Sequence, residues 1–455
     1  MSKPIKIRKG LNIRMKGKAD KVLIPEDRPG RFAVKPIDFP GVFPKMCVKP
    51  GDEVKAGTTL FFDKNNEKVK YTAPVSGEVL EIVRGERRRI LEVLIETRGD
   101  DYISFGKADP EKLDVTAIKN KLLESGLWPA VRQRPYHVVA NPDDTPKSIF
   151  ISGFDSAPLA ADLDFIIDHM PEEHYLTGIK ILRKLTEGNV YLSLSTENTS
   201  NVLKNTPGVQ IKYFSGPHPS GNVGIQIHHI DPVNKGDVVW YVNLQDIVSI
   251  GRLFNEGKYA PDKIVALVGS EVEKARYYRT RTGASISTMV KGNILTIRGK
   301  SSNSVRYISG DVLTGQMIQP DGYLGYYDST VTVIPEGNYY EFFGWITPGL
   351  KKFSLSRTFL TWLMPGKKYR LDTNLHGGER AFVITGEYEK VLPMDIYPMQ
   401  LLKSILVEDI DKMEQLGIYE VAEEDFALCE FICPSKIEIQ SIIRKGLDLM
   451  AREMS

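Results

Sequence analysis

Chemistry in this 455-residue chain could come from its few thiols, its histidines and a short cationic run. The cysteines are Cys47, Cys429 and Cys433, and the last two stand four apart just before Pro434. On a helix that spacing puts both on one face. An iron–sulfur cubane takes four ligands, normally thiolates. With Cys47 remote in sequence, the pair reads as two small buried apolar residues. His228 and His229 are adjacent, so a strand would send them to opposite faces, which suits neither a metal nor a catalytic pair. His218 opens a small loop to Gly221 after a strand, with no acidic residue placed to accept from a ribose or a flavin. Phosphates need bare backbone amides at a helix N-terminus, which glycines permit. The segment Ser152 to Leu159 follows an apolar run yet holds no G-x-G-x-x-G, and no Walker loop occurs anywhere. The stretch Ser125 to His137 offers one glycine; Arg132 and Arg134 there could hold an anion, although paired arginines more often form a solvated face. Neither G-x-S-x-G nor H-E-x-x-H occurs.

The elements that would position these groups change character along the chain. Ile5, Ile7, Leu11 and Ile13 alternate with basic residues and read as a strand. Residues 1–98 are otherwise short strands and turns, with Gly51 and Gly57 as turn glycines. Residues 99–269 alternate strand-like runs at 148–152, 190–194, 238–242 and 264–268 with helical stretches at 172–187 and 244–257. That alternation predicts a parallel α/β sheet. Residues 270–335 return to strands, with turn glycines Gly283, Gly292, Gly299, Gly310 and Gly315, and predict a small β or α+β domain. Residues 336–455 begin with an aromatic stretch holding Tyr339, Tyr340, Phe342, Phe343, Trp345, Phe353, Phe359 and Trp362. They end in helices: one opened by Pro398 and closed by Gly417, and a last one with a capping-box signal at Ser435 and Glu438.

Composition narrows the class. Hydrophobic residues make up 42% of the chain, charged residues 26%, and the net charge is +2. Such a balance excludes a dedicated nucleic-acid binder, which needs a strong basic excess. Three cysteines are too few for a disulfide framework and point to a reducing compartment. The basic N-terminus lacks the apolar core of a signal peptide, and no apolar run is long enough to span a membrane.

Two segments are similar to cofactor-bearing modules but lack the residues that do the work. Val48, Gly51, Asp52, Val54, Gly57 and Leu60, followed by Ala73, Pro74, Gly77 and Val79, resemble the biotinyl/lipoyl carrier barrel. Eight residues before Pro74, where that family carries its modified lysine, stands Asn66, flanked by Lys64 and Lys68. An amide cannot form the linkage, so the barrel is expected without the cofactor. Glu423, Phe426, Cys429, Cys433 and Pro434 resemble the ferredoxin run C-x2-C-x2-C-x3-C-P, with Glu423 and Phe426 in the first two cysteine positions.

Carrier-like barrel, α/β domain, small β domain and ferredoxin-like helical end occur in this order in the C subunit of Rnf-type ferredoxin:NAD oxidoreductases. The stretches Phe32–Gly41, Leu60–Lys64, Ser152–Leu159 and Phe343–Gly349 resemble a sister family more closely, the A subunit of the sodium-translocating NADH:quinone oxidoreductase, the Nqr complex. The fold this resemblance implies is a lipoyl-like barrel-sandwich over 1–98, a Rossmann-like domain over 99–269, a β-grasp-like (SLBB) domain over 270–335, and an aromatic linker with a degenerate ferredoxin-like helical domain over 336–455. It further implies a peripheral subunit on the cytoplasmic side of the bacterial inner membrane, docked with five other subunits, chiefly polytopic. The complex as a whole uses NADH, flavins, iron–sulfur centres and ubiquinone. This chain itself is expected to bind no cofactor or metal and to supply no catalytic residue, while supporting ubiquinone reduction. Competing expectations are an active flavin and iron–sulfur carrier of the Rnf type, and a biotin or lipoyl carrier. A quinone headgroup needs apolar walls and one or two donors. Phe32, Lys35, Pro36 and Phe39 offer these, as do Trp128, Arg132, Arg134 and His137; the plainer expectation is that the aromatics are core and the arginines solvated.

Overall fold

The computed structural model describes residues 3–25, 29–295, 305–341, 343–344, 348–383 and 385–453. Gly299, Phe342 and Trp345, singled out above, lie outside the described residues.

The N-terminal region is a sandwich of two small antiparallel sheets. One orders Arg31–Val34, Ile90–Thr97, Gly77–Arg84 and Glu53–Val54; the other orders Pro44–Met46, Thr59–Asp63 and Asn66–Thr72. Alternation turns Leu60, Val69, Val79, Val93 and Ile95 inward, all nearly or wholly buried. The hairpin expected to carry a modified lysine turns at Lys64 and Asn65, with Asp63 paired to Asn66 across the ladder. Lys68 is engaged in an ion pair, 2.7 Å from Asp143.

A seven-stranded sheet follows, ordered Ile5–Lys6, Gln210–Ser215, Val190–Ser195, Ser148–Ser152, Val239–Tyr241, Arg132–Arg134, Val138–Val139. The first five strands are parallel; Arg132–Arg134 runs antiparallel to both its neighbours. From Ser148–Ser152 the chain builds outward to one side and then returns to add Val239–Tyr241 on the other. That reversal opens a crevice at the carboxyl ends of these strands, where such sheets place ligands. Helices Glu172–Lys184 and Leu244–Glu256 cross closely on one face; a Cβ on Gly178 or Gly251 would run into the facing backbone. Helix Val223–Ile230 packs Ile227 against Phe150, Val239 and Tyr241.

Several expectations need correction. The run at 264–268 belongs to strand Asp262–Val268, which joins a different, six-stranded sheet with Tyr277–Arg281, Thr330–Pro335, Val305–Ser309, Gln316–Ile318 and Leu23–Ile24. An apolar run fits the interior of either sheet, and periodicity cannot choose between them. His228 and His229 lie on helix Val223–Ile230 and not on a strand. The N-terminal strand is only Ile5–Lys6, although Ile7 and Ile13 beyond it are buried. The single helix expected from Pro398 to Gly417 is two, Pro398–Leu406 and Ile410–Gln415. The chain breaks at Glu408, whose φ is +56°, and Asp409 caps the second helix by accepting from the Lys412 amide. Ser435 does not cap the final helix, Ile439–Glu453: its hydroxyl donates to the Ala381 carbonyl, and Glu430 accepts from the Gln440 amide at 2.8 Å.

Candidate functional site

Two residues apart on strand Arg132–Arg134, the arginines emerge on one face. They are not solvated. Arg134 is completely buried, with Nη1 3.0 Å from Asp425 Oδ2 and Nη2 2.9 Å from Glu424 Oε1. Arg132 donates to Asn243 Oδ1 at 3.0 Å, and its guanidinium lies 4.5 Å from the centre of the Tyr241 ring and 4.1 Å from that of Tyr327. Arg132 also reaches His137 Nε2 at 3.3 Å, which leaves Nδ1 of His137 to donate to Glu423 Oε2 at 3.1 Å. This tautomer is assigned from its partners. Trp128 is core: fully buried, its indole N–H donates to the Ala140 carbonyl at 2.7 Å, and its ring meets Trp240 edge-on.

The carboxylates come from one acidic turn, Glu423–Phe426, almost 300 residues away in sequence. Burial acts to raise the Glu423 carboxyl, but its hydrogen bond from His137 and the neighbouring Arg444 guanidinium outweigh this and hold it at about 2. Glu424 is likewise held below its ordinary value, against the cost of burial, by His137, Arg134 and Arg132. Beside this turn, Gly221 N–H donates to Ser156 Oγ at 2.8 Å, and Ser156 Oγ shares a hydrogen bond with His218 Nδ1, 3.0 Å away. Burial depresses His218 to about 4, against the pull of Asp311 and Glu424. Ser156, Glu424 and Asp425 went unremarked in the sequence; the one available signal was the run of three acids at 423–425.

The other segment closes a junction between the barrel and the six-stranded sheet. Phe32 and Phe39 are buried, and Pro36 opens a single 3-10 turn. Lys35 Nζ donates to the Tyr323 carbonyl at 3.2 Å and lies 3.6 Å from Asp38. Burial raises Asp38 to about 6, moderated by Lys35. Phe39 packs on Tyr71, Tyr326 and Tyr327 at centroid distances of 4.5, 5.0 and 5.8 Å. Lys35, Asp38, Phe39, Tyr71 and Tyr326 line a void of about 10 Å³, room for about one water. The Tyr71 hydroxyl there has no hydrogen-bond partner. Tyr327 joins the two segments: its ring touches Phe39 and Arg132, and its hydroxyl donates to the Pro129 carbonyl.

Cluster chemistry does not fit the C-terminal residues. Cys429 and Cys433 are free and fully buried; burial pushes the Cys429 thiol well up, and the Tyr388 hydroxyl donates to Cys433 Sγ at 2.9 Å. Glu423 is already committed to His137 and Arg444, and Phe426 offers no ligand atom. Among the described residues no group of three or more His, Cys, Asp or Glu is placed to hold a metal, and no helix is long and apolar enough to cross a membrane.

A barrel-sandwich joined to further sheets flanked by helices defines a mixed α/β multi-domain class of protein. Family models single out which. NqrA N-terminal barrel-sandwich hybrid domain matches residues 5–98, NqrA second alpha/beta domain residues 113–259, and NQRA C-terminal domain residues 264–319. Full-length relatives agree. The Na(+)-translocating NADH-quinone reductase A subunit of Hahella chejuensis is 40% identical over 99% of this chain and 100% of its own. The counterpart from Yersinia pestis bv. Antiqua is 40% identical and that from Vibrio anguillarum 39%, with the same coverage. The chain belongs to the NqrA family, the A subunits of the Na(+)-translocating NADH-quinone reductase. The Rnf-type expectation is not favoured by these matches. Among solved structures, the chain is similar to one of an NAD+-reducing NiFe hydrogenase in the air-oxidized state, with 11% identity, a TM-score of 0.37, and coverage of 78% of this chain and 67% of that one.

Proposed function

We propose that this chain is a peripheral subunit of a sodium-translocating NADH:ubiquinone reductase, without a redox centre of its own. It docks on polytopic membrane subunits at the cytoplasmic face and supports the ubiquinone-reduction step. The observation that carries the docking role is where the apolar surface lies. Of twenty exposed large hydrophobic side chains among the described residues, eight fall between Tyr339 and Met364, including Tyr340, Leu350, Trp362 and Leu363. Only one short 3-10 turn, Leu360–Leu363, organises the described part of this segment. Clustered apolar surface of this kind marks an interface, and a subunit with no membrane-crossing helix among its described residues needs one to stay with its complex. The other five subunits are its partners on this reading.

Support for the ubiquinone step is the junction at Tyr327, where rings and donors from both segments meet. Its void is far too small for a quinone ring. The reading therefore places the quinone at an opening shared with a membrane subunit.

Cross-linking of the assembled complex tests the docking role. Cross-links from residues 339–364 to membrane subunits are expected, and Tyr340→Ser with Trp362→Ser should release the chain on washing without altering its circular dichroism. Cross-links confined to residues 1–260 would overturn it.

A further inference from the structure

We propose that the crevice at the carboxyl ends of the parallel strands is an anion site of the polyphosphate class, and that the chain's own Glu424 and Asp425 hold it shut. Three observations converge. First, Glu424 reaches this crevice: its carbonyl accepts from Asn222 Nδ2 at 3.0 Å, ahead of the helix that follows strand Gln210–Ser215, and its carboxylate accepts from Arg134 Nη2 at 2.9 Å, while Asp155, His218 and Arg132 around it feel its charge. That is the point of strand reversal, the position at which open α/β sheets take their ligands.

Second, the lining matches an anion. Arg132 and Arg134 supply the cationic groups, with the His137 ring beside them, and against them stand the three acids Glu423, Glu424 and Asp425. The first turn of helix Val223–Ile230 faces the same place: a Cβ on Gly224 would sit 2.5 Å from Asp425 Oδ2, and Asn222 Nδ2 donates to the Glu424 carbonyl at 3.0 Å. Bare backbone at a helix N-terminus is the usual seat of a phosphate.

Third, the carboxylates fill the site imperfectly. Nε of the fully buried Arg134 and Oδ1 of the equally buried Asp425 have no hydrogen-bond partner. A phosphate carries more acceptor oxygens than a carboxylate, and bidentate arginine favours it. The acidic turn is thus a built-in competitor. It exchanges an external anion for contact with the C-terminal helices.

Isothermal titration of the full chain with inorganic pyrophosphate tests this, using wild type, the double variant Glu424→Gln with Asp425→Asn, and that variant carrying Arg134→Gln as well. The double variant should bind pyrophosphate at least tenfold more tightly than wild type, and the added Arg134→Gln should abolish the gain. A parallel titration with ADP distinguishes a site for the bare anion from one that also accepts a nucleoside. If the double variant is unstable, its melting temperature should rise with pyrophosphate and not with chloride at equal ionic strength. A double variant that neither binds better than wild type nor gains stability from pyrophosphate would overturn the proposal. So would wild-type protein that already binds as tightly as the variant.

Discussion

Nδ1 of His137 lies 3.1 Å from a carboxylate oxygen of Glu423, across 286 residues of sequence. The same carboxylate accepts from Arg444 on the final helix at 3.1 Å. Glu423 occupies the first position of the cysteine-like run, and His137 belongs to the segment read as a possible anion or quinone contact. These two features, which looked independent in sequence, are halves of one buried ionic network. A position that could have held a cluster ligand instead fastens the helical end of the chain onto the α/β domain.

Arg134 is the centre of that fastening. Replacing it with Met would leave Asp425, itself fully buried, without its cation. Breaking one side of a buried pair costs about 3–5 kcal/mol, so Arg134→Met should lower the free energy of unfolding by that order in urea titrations. Arg134→Met combined with Asp425→Leu should recover much of the loss, because paired apolar residues can replace a buried ion pair. A loss below about 1 kcal/mol for the single variant would show that the pair is not structural.

His218 gives the fold a defined sensitivity to mild acid. Its folded-state value is about 4, against 6.5 for the ordinary side chain. Between those values the unfolded chain binds a proton that the folded chain refuses, so stability is fully present above pH 6.5 and falls as the pH drops toward 4. The loss across the window is about 3 kcal/mol. Urea denaturation at pH 7 and at pH 4.5 should show most of it, and His218→Gln should flatten the dependence. An equal slope in the variant would assign the acid sensitivity to other groups.

Purified anaerobically, the chain should be colourless. The expectation rests on the ligand inventory: two buried thiols, a committed glutamate and a phenyl ring stand in the cluster-like run. No G-x-G-x-x-G follows Ser152. Intact mass should equal the sequence mass apart from loss of Met1, because Asn66 stands at the carrier position and Lys68 is paired with Asp143. Stoichiometric iron, a flavin spectrum, or an adduct on Lys64 or Lys68 would contradict this.

What was legible in the sequence was mostly local. Apolar runs at 148–152 and 190–194 became strands at those places because a buried parallel strand is apolar on both faces. Sheet membership was not legible, since nothing within residues 264–268 records which neighbours they pair with. His228 misled because Ile225, Ile227 and Ile230 suggest a strand by propensity; packing on Phe150 and Val239 selects a helix instead. The strand that sets Arg132 and Arg134 on one face was not legible, nor was their burial, which depends on carboxylates supplied by a distant turn. Such partners are set by tertiary contacts, which local pattern does not encode.

Quinone affinity should be a property of the assembled complex and not of the isolated chain. Phe32, Phe39 and Trp128 are spent on core packing, and the void beside Lys35 and Tyr71 is about 10 Å³. Ligand pockets typically span roughly 300 Å³ or more, so the junction must open for a quinone to enter. A membrane subunit pressed against it is the natural means, because the quinone arrives from the bilayer. Photoaffinity labelling with a quinone analogue is therefore expected to mark Phe32–Phe39 or Trp128–His137 in the complex and neither in the free chain. Lys35→Met would remove the buried cation beside Asp38 and should weaken quinone binding by the complex about tenfold, the worth of one charge-assisted donor. Its effect on the free chain's fold is checked by circular dichroism. Labelling of neither segment in the complex, together with unchanged affinity in Lys35→Met, would place the quinone elsewhere.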